Sequence, residues 1–267
     1  NPDGSVALWA ATSDGLYRLA SGRWTRFASR NGLPGALIWS LFATGDERAS
    51  QTLWIGTAGA GLVRWQFGLW TAYDGASGMP GGEPSVYGLL VTRPPGGDDA
   101  LWVGMITGGG LARFERGRWS WVLERREWVK CLLDASTPER EVVWVGANPG
   151  LHRVENGRVV RTLRAVDGLP HATVHTLASS SFPEGREMVW VGTQGGIVRI
   201  EGDALRPLPG GLALPSPFVT SFAEVEAPSG ARAMWIGTDG GLARYDGRTT
   251  AALTMADGLP SNSVLSV

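Results

Sequence analysis

The side chains able to do acid–base or metal chemistry are few in this sequence. Its 267 residues include three histidines, His152, His171 and His175, and a single cysteine, Cys131. His171 and His175 are spaced like helical zinc ligands, but a loop and a strand are predicted to carry them, so they share no helix face. One cysteine forms neither an internal disulfide nor a cysteine metal cluster. The sequence therefore predicts no metal site and no cofactor.

Carboxylates are the second candidate for chemistry, because two suitably spaced ones suffice for glycoside hydrolysis. The Asp and Glu residues fall mostly in predicted turns, such as Asp98, Asp99, Glu139 and Glu141, where turn hydrogen bonding accounts for them. No Gly-x-Ser-x-Gly elbow, phosphate loop or His-Glu-x-x-His motif occurs. We predict that the protein is not an enzyme. A catalytic pair of carboxylates that only the fold brings together is the open alternative.

A third set of side chains suits binding. It combines aromatic faces with cationic or hydrogen-bonding groups, which is the usual make-up of a ligand site. Its members are Trp39, Tyr87, Arg126, Trp128, Lys130, His171 and His175.

The elements that carry these residues belong to an internal repeat. The pattern Leu-Trp-Ile-Gly-Thr, a Gly-rich gap and Gly-Leu-x-Arg occurs six times at intervals of 42 to 48 residues. Each copy predicts a strand around the tryptophan, a hairpin turn, a second strand through the arginine and a third strand. A Gly-Leu-Pro break and a fourth strand follow. The six motif tryptophans are Trp9, Trp54, Trp102, Trp144, Trp190 and Trp235.

Four strands at a period near 45 residues predict an all-β fold, a closed β-propeller of six four-stranded blades in one domain, residues 1–267. A solenoid of stacked strands is the alternative, although its coils are usually shorter and its ends capped. The motif tryptophans are predicted to pack between blades. The motif arginines are predicted to stack on an aromatic ring or to pair with a turn carboxylate or carbonyl.

The two chain ends predict how the ring closes. Val264–Val267 resembles the start of the strand that follows Gly-Leu-Pro in other repeats, the inner strand. The first repeat begins just after the place of its own inner strand. The C-terminal strand is therefore predicted to complete the first blade, which removes an exposed edge. The alternative is a piece cut from a longer propeller.

Most of the candidate ligand-binding residues lie in or just before the predicted inner strands. Their most variable column reads Trp39, Tyr87, Lys130, His175, Thr220 and Leu265, whereas neighbouring columns stay apolar or small. Inner strands surround the central channel of a propeller, and the loops before them reach one face. The sequence thus predicts a ligand site on that face, and the alternative is that these side chains fill a narrow channel with water.

Composition limits the partners. A formal net charge of −1 without a basic cluster argues against nucleic acid. No apolar run approaches the 18 residues of a membrane span, so no membrane insertion of this segment is predicted. The chain begins without methionine or a signal peptide, which we interpret as a processed or excised domain.

The repeat resembles the two-component regulator propeller repeat, most closely over Met234–Val264 through Trp235, Gly241, Arg244, Gly258 and Pro260. In that family such propellers form the periplasmic sensor part of bacterial hybrid signalling proteins, many responding to carbohydrates. The resemblance implies a non-catalytic sensor domain, periplasmic or extracellular, that binds a carbohydrate or small anion. The chain departs from the family in having six motifs instead of seven and no kinase part. A scaffold for protein partners and a metal-dependent propeller lyase are the alternatives.

Overall fold

The computed structural model describes residues 7–12, 14–27, 33, 37–45, 51–82, 84–107, 109–124, 126–208 and 213–267. Over these ranges the regular structure consists of β-strands and two short 3-10 turns. No helix in them is both long and apolar enough to cross a membrane. The all-β prediction is confirmed.

The strands follow one another along the chain in six antiparallel sheets. The first sheet has three described strands, and the other five sheets have four each. The first three sheets contain β1 Leu8–Thr12, β2 Gly15–Ala20, β3 Arg23–Phe27; β4 Ile38–Thr44, β5 Thr52–Thr57, β6 Leu62–Gln66, β7 Leu69–Tyr73; and β8 Val86–Thr92, β9 Ala100–Met105, β10 Gly110–Glu115, β11 Arg118–Leu123. The other three contain β12 Trp128–Asp134, β13 Val142–Asn148, β14 Gly150–Glu155, β15 Arg158–Leu163; β16 Val174–Ser180, β17 Met188–Thr193, β18 Gly196–Glu201, β19 Ala204–Pro207; and β20 Val219–Glu226, β21 Arg232–Thr238, β22 Gly241–Tyr245, β23 Thr250–Leu253.

The chain divides into two compact units. The first unit contains Asn1–Glu141 and Asn156–Arg158, and the second contains Val142–Glu155 and Val159–Val267. Buried aliphatic and aromatic side chains fill each unit, for example Ile55 and Leu62 in the first and Trp190 and Met234 in the second. Each unit therefore has a hydrophobic core of its own.

The Gly-Leu-Pro break is a compact turn that anchors itself in the core. In its fullest form, Ala165–Asp167 makes one 3-10 turn, and Gly168 ends it with a φ of 107°. Glycine adopts this left-handed conformation at little cost. The next side chain, Leu169, is buried, as are its counterparts Leu33 and Met79. The motif thus ends one sheet and fixes the start of the next inner strand.

In five repeats a glycine lies two positions after the motif tryptophan, and it permits close packing of successive inner strands. A Cβ atom on Gly56 would lie 2.8 Å from Val86 Cγ1, and one on Gly104 would lie 2.5 Å from Val129 Cγ1. In the second unit, a Cβ on Gly192 would lie 2.7 Å from Val219 Cγ1. Any side chain here would displace the valine that opens the next inner strand. The glycine is therefore a packing requirement of the repeat.

The C-terminal segment is not a strand in the structure. Residues 259–267 carry no β-strand, although the amide of Val264 donates to the carbonyl of Thr238 at 2.9 Å. The hydroxyl of Thr220 donates to the carbonyl of Val264 at 2.5 Å. The first sheet has three described strands, as expected for a repeat that begins after its inner strand. Ring closure by Val264–Val267 stays a prediction.

Candidate functional site

The repeated tryptophans and arginines are structural. Each tryptophan lies directly opposite its arginine on the neighbouring strand, as in Trp102 opposite Arg113 and Trp190 opposite Arg199. In five repeats the arginine Cζ lies 5.3 to 6.0 Å from the centre of that indole ring. Four of the six rings are buried and the other two half-buried. The predicted roles, packing for tryptophan and stacking for arginine, are confirmed.

One carboxylate does not behave as predicted. Glu141 was expected in a turn, but its side chain is 1% exposed and 3.1 Å from the guanidinium of Arg113. It also accepts from the hydroxyl of Thr92, which in turn accepts from the indole N–H of Trp102 at 2.8 Å. A buried carboxylate needs such partners, because desolvation without them is costly. Glu141 therefore belongs to a buried polar network that the sequence analysis missed.

Two members of the predicted binding set meet in the first unit. Trp39 and Tyr87 are the second residues of the inner strands β4 and β8 and hold the same position in their repeats. Their ring centroids are 5.4 Å apart, with the planes at 80°. They keep 38% and 43% of their surface exposed, whereas the residues before them, Ile38 and Val86, are buried. The two rings therefore form one aromatic surface that faces solvent.

The start of β12 extends this surface. β12 packs beside β8, and Trp128 and Lys130 lie on the same face of the strand because they are two residues apart. Trp128 is 53% exposed, Lys130 is half-buried, and burial lowers the pKa of the Lys130 amine. Arg126 is exposed in the turn that precedes β12. We call Trp39, Tyr87, Trp128 and Lys130 the aromatic face.

The two histidines of the predicted set lie in the second unit and are described separately. His175 occupies the same repeat position on β16, where its ring centroid is 4.3 Å from that of Phe218. His171 lies in the preceding loop, and its Nδ1 accepts the amide of Thr173 at 3.0 Å. Both side chains are half-buried.

The remaining candidates for metal chemistry are dispersed. His152 is 2% exposed and shares a 3.0 Å hydrogen bond between its Nδ1 and the hydroxyl of Thr162. Cys131 is half-buried in β12. In the parts of the chain that the structure describes, no group of three or more His, Cys, Asp or Glu side chains is arranged to hold a metal ion.

Sequence reasoning also missed a cavity in the first unit. It lies at the far ends of β4 and β8, so the aromatic face and the cavity occupy opposite ends of the same inner strands. The available signal was weak, namely that the inner strands end in polar residues, such as Thr44, Thr92 and Asp134. Strand ends are generally polar, so this pattern alone does not indicate a site.

Comparison with known proteins identifies the fold but no family. No protein-family model matches the sequence, and no curated protein matches it. The structure is similar to that of BBS1N, solved in complex with ARL6DN, with a TM-score of 0.57 and 12% identity, over 94% of this chain and 77% of that one. It is also similar to an ancestral GH74 enzyme, with a TM-score of 0.62 and 15% identity, over 91% of this chain and 35% of that one.

These similarities show that the chain has a β-propeller fold. At 12% and 15% identity they show the fold alone, because one fold hosts many unrelated functions. Function must therefore be argued from the aromatic face itself.

Proposed function

We propose that this chain is a non-catalytic, ligand-binding propeller domain whose ligand binds the aromatic face. One observation carries the proposal, the exposure of three large aromatic side chains at the starts of neighbouring inner strands. The six motif tryptophans, by contrast, are buried or half-buried in the sheets, so the packing of the repeat does not explain the exposure of Trp39 or Trp128. Covering such rings recovers roughly 1.5–3 kcal/mol for a fully buried side chain.

The chemistry of the face suggests the ligand. The rings of Trp39 and Tyr87 offer apolar surfaces on which the carbon-bearing face of a sugar ring can lie. Lys130 supplies an ammonium group beside them, partly shielded from water. An ammonium in such a setting attracts an anion more strongly than one in bulk solvent. We therefore propose a carbohydrate or a small anionic molecule as the ligand.

The resemblance of the repeat to two-component regulator propellers supports a sensor role outside the cytoplasm. In this proposal the domain reports ligand binding to a signalling part, and it needs neither a cofactor nor catalytic residues. A scaffold for a protein partner is the second candidate, favoured by the likeness to BBS1N, which was solved in complex with ARL6DN. The GH74 likeness makes a hydrolysis assay on bound oligosaccharides a necessary control.

Single alanine substitutions of the three aromatic residues test the site. A thermal-shift screen with oligosaccharides and small anions would first identify a ligand, because a molecule that binds only the native state raises its melting temperature. We expect Trp39→Ala, Tyr87→Ala and Trp128→Ala each to weaken binding about tenfold or more, as calorimetric titration would show.

Trp24→Ala is the matched control. Trp24 is 53% exposed like Trp128, but it lies on β3, away from the inner strands. Affinity that survives all three test substitutions and falls with Trp24→Ala would contradict the proposed site. Turnover of the bound oligosaccharide would contradict the non-catalytic part of the proposal.

We further infer that Val264–Val267 pairs as an inner strand with the first sheet, which has three described strands. The packing of Gly237 supports this inference, because a Cβ atom there would lie 3.2 Å from Val264 Cγ1. Gly192 packs in the same way against Val219, the first residue of β20. Val264 thus sits beside the last sheet as a following inner strand would. Deleting residues 262–267 should lower the melting temperature by about 2–4 °C for each kcal/mol lost and promote association through the open edge. An unchanged melting curve and a monomeric deletion variant would contradict closure.

A further inference from the structure

The cavity in the first unit has the size of a small-molecule site. Its volume is about 690 Å³, within the roughly 300–1,000 Å³ of ligand pockets. Residues at the ends of β4, β6, β8 and β12 and at the starts of β5 and β9 line it, including Phe42, Thr52, Gln66, Val91 and Asp134. It is independent of the aromatic face, which lies at the other ends of β4, β8 and β12.

The floor of the cavity is rigid. Phe42 and Val91 pack on the core cluster that contains Trp54 and Leu101. Thr92, also in the lining, is 1% exposed and is held by the buried network through Trp102 and Glu141. Side chains fixed in this way give a preorganised surface, which reduces the entropy lost when a ligand binds.

Three charged side chains line the cavity, and two of them form an ion pair with each other. Arg93 and Asp99 form an ion pair, with Arg93 Nε 2.8 Å from Asp99 Oδ1, so their charges cancel. The third charged residue is Asp134, at the end of β12. Its Oδ1 accepts the amide of Ser136 at 2.9 Å, and its side chain is exposed to solvent. An accessible carboxylate oriented by one backbone amide therefore belongs to the cavity lining.

We propose that this cavity is a second binding site, which takes a hydroxylated small molecule carrying a protonated amine. Asp134 accepts from the ammonium group, as charge-assisted hydrogen bonds of this kind are the strong ones. The hydroxyl of Thr52 offers a donor and an acceptor for the hydroxyl groups. Phe42 and Val91 contact the apolar part of the molecule.

The test compares glucosamine, a hydroxylated amine, with N-acetylglucosamine, which has a similar body without the positive charge. Calorimetric titration at a pH where the amine is protonated should show saturable binding of glucosamine to the intact chain and at least tenfold weaker binding of N-acetylglucosamine. Asp134→Asn should weaken glucosamine binding about tenfold or more, because a hydrogen bond to a charged group is lost.

Two control variants keep the outcomes distinct. Asp239→Asn changes an exposed carboxylate in the second unit and should leave glucosamine affinity unchanged, and Trp39→Ala reports whether glucosamine binds the aromatic face. Equal binding of the neutral sugar, no effect of Asp134→Asn, or no saturable binding of glucosamine would each overturn the proposal. Loss of binding in Trp39→Ala would assign the amine to the aromatic face instead.

Discussion

Replacing Glu141 with alanine should destabilise the protein by about 3 kcal/mol, the lower end of the usual effect of removing one partner from a buried ion pair, because Arg113 keeps its second ion pair with Glu115. The Glu141 side chain is 1% exposed and that of Arg113 is 14% exposed, so water screens the pair little. Without the carboxylate, the hydroxyl of Thr92 and one side of the Arg113 guanidinium lose their acceptor in a dry environment. Chemical denaturation followed by tryptophan fluorescence would measure the change.

Two further variants define what Glu141 contributes. Glu141→Gln keeps an acceptor for Thr92 but removes the charge, so we expect an intermediate loss of about 1–3 kcal/mol. Asp98→Asn breaks an ion pair with Arg116 whose side chains are 73% and 67% exposed, and this should cost no more than about 1 kcal/mol. Equal stability changes for the buried and exposed pairs would contradict the role assigned to the buried network.

Gly104→Ala should also cost roughly 1–3 kcal/mol or more, because it overpacks the contact between successive inner strands. The new methyl carbon would lie 2.5 Å from Val129 Cγ1 and 3.1 Å from Val129 Cβ, closer than carbon atoms approach without displacement. The same denaturation experiment measures the loss. Val129→Ala added to Gly104→Ala should restore part of it, since the substitution removes the overlapping methyl group.

Gly88→Ala is the control in the neighbouring strand β8. A Cβ there would lie 3.5 Å from Leu132, an ordinary contact, and neither glycine has a positive φ. We therefore expect a change near zero, because the smaller entropy of the unfolded alanine chain offsets minor crowding. Similar losses for Gly88→Ala and Gly104→Ala would show that glycine is needed here for backbone reasons rather than for packing.

The sequence alone predicted the architecture because a repeat presents the same information six times. The spacing of the six motif tryptophans predicted the number of sheets, and in five repeats the motif arginine stacks on its tryptophan as predicted. The variable column of the inner strands pointed to Trp39 and Tyr87, which do lie together and exposed. Periodicity reveals such positions because a residue that packing does not constrain is free to vary.

Only the tertiary structure shows the contacts between residues that are distant in the chain. Thr92 and Glu141 are 49 positions apart, and nothing local distinguishes a turn glutamate from one buried against an arginine. The cavity walls likewise come from several strands, and spacing along the chain does not show that Asp134 shares a cavity with Phe42 and Thr52. The position of a residue in the repeat determines which strand carries its side chain. The burial and charge pairing of that side chain depend on neighbours that only the packed sheets bring together.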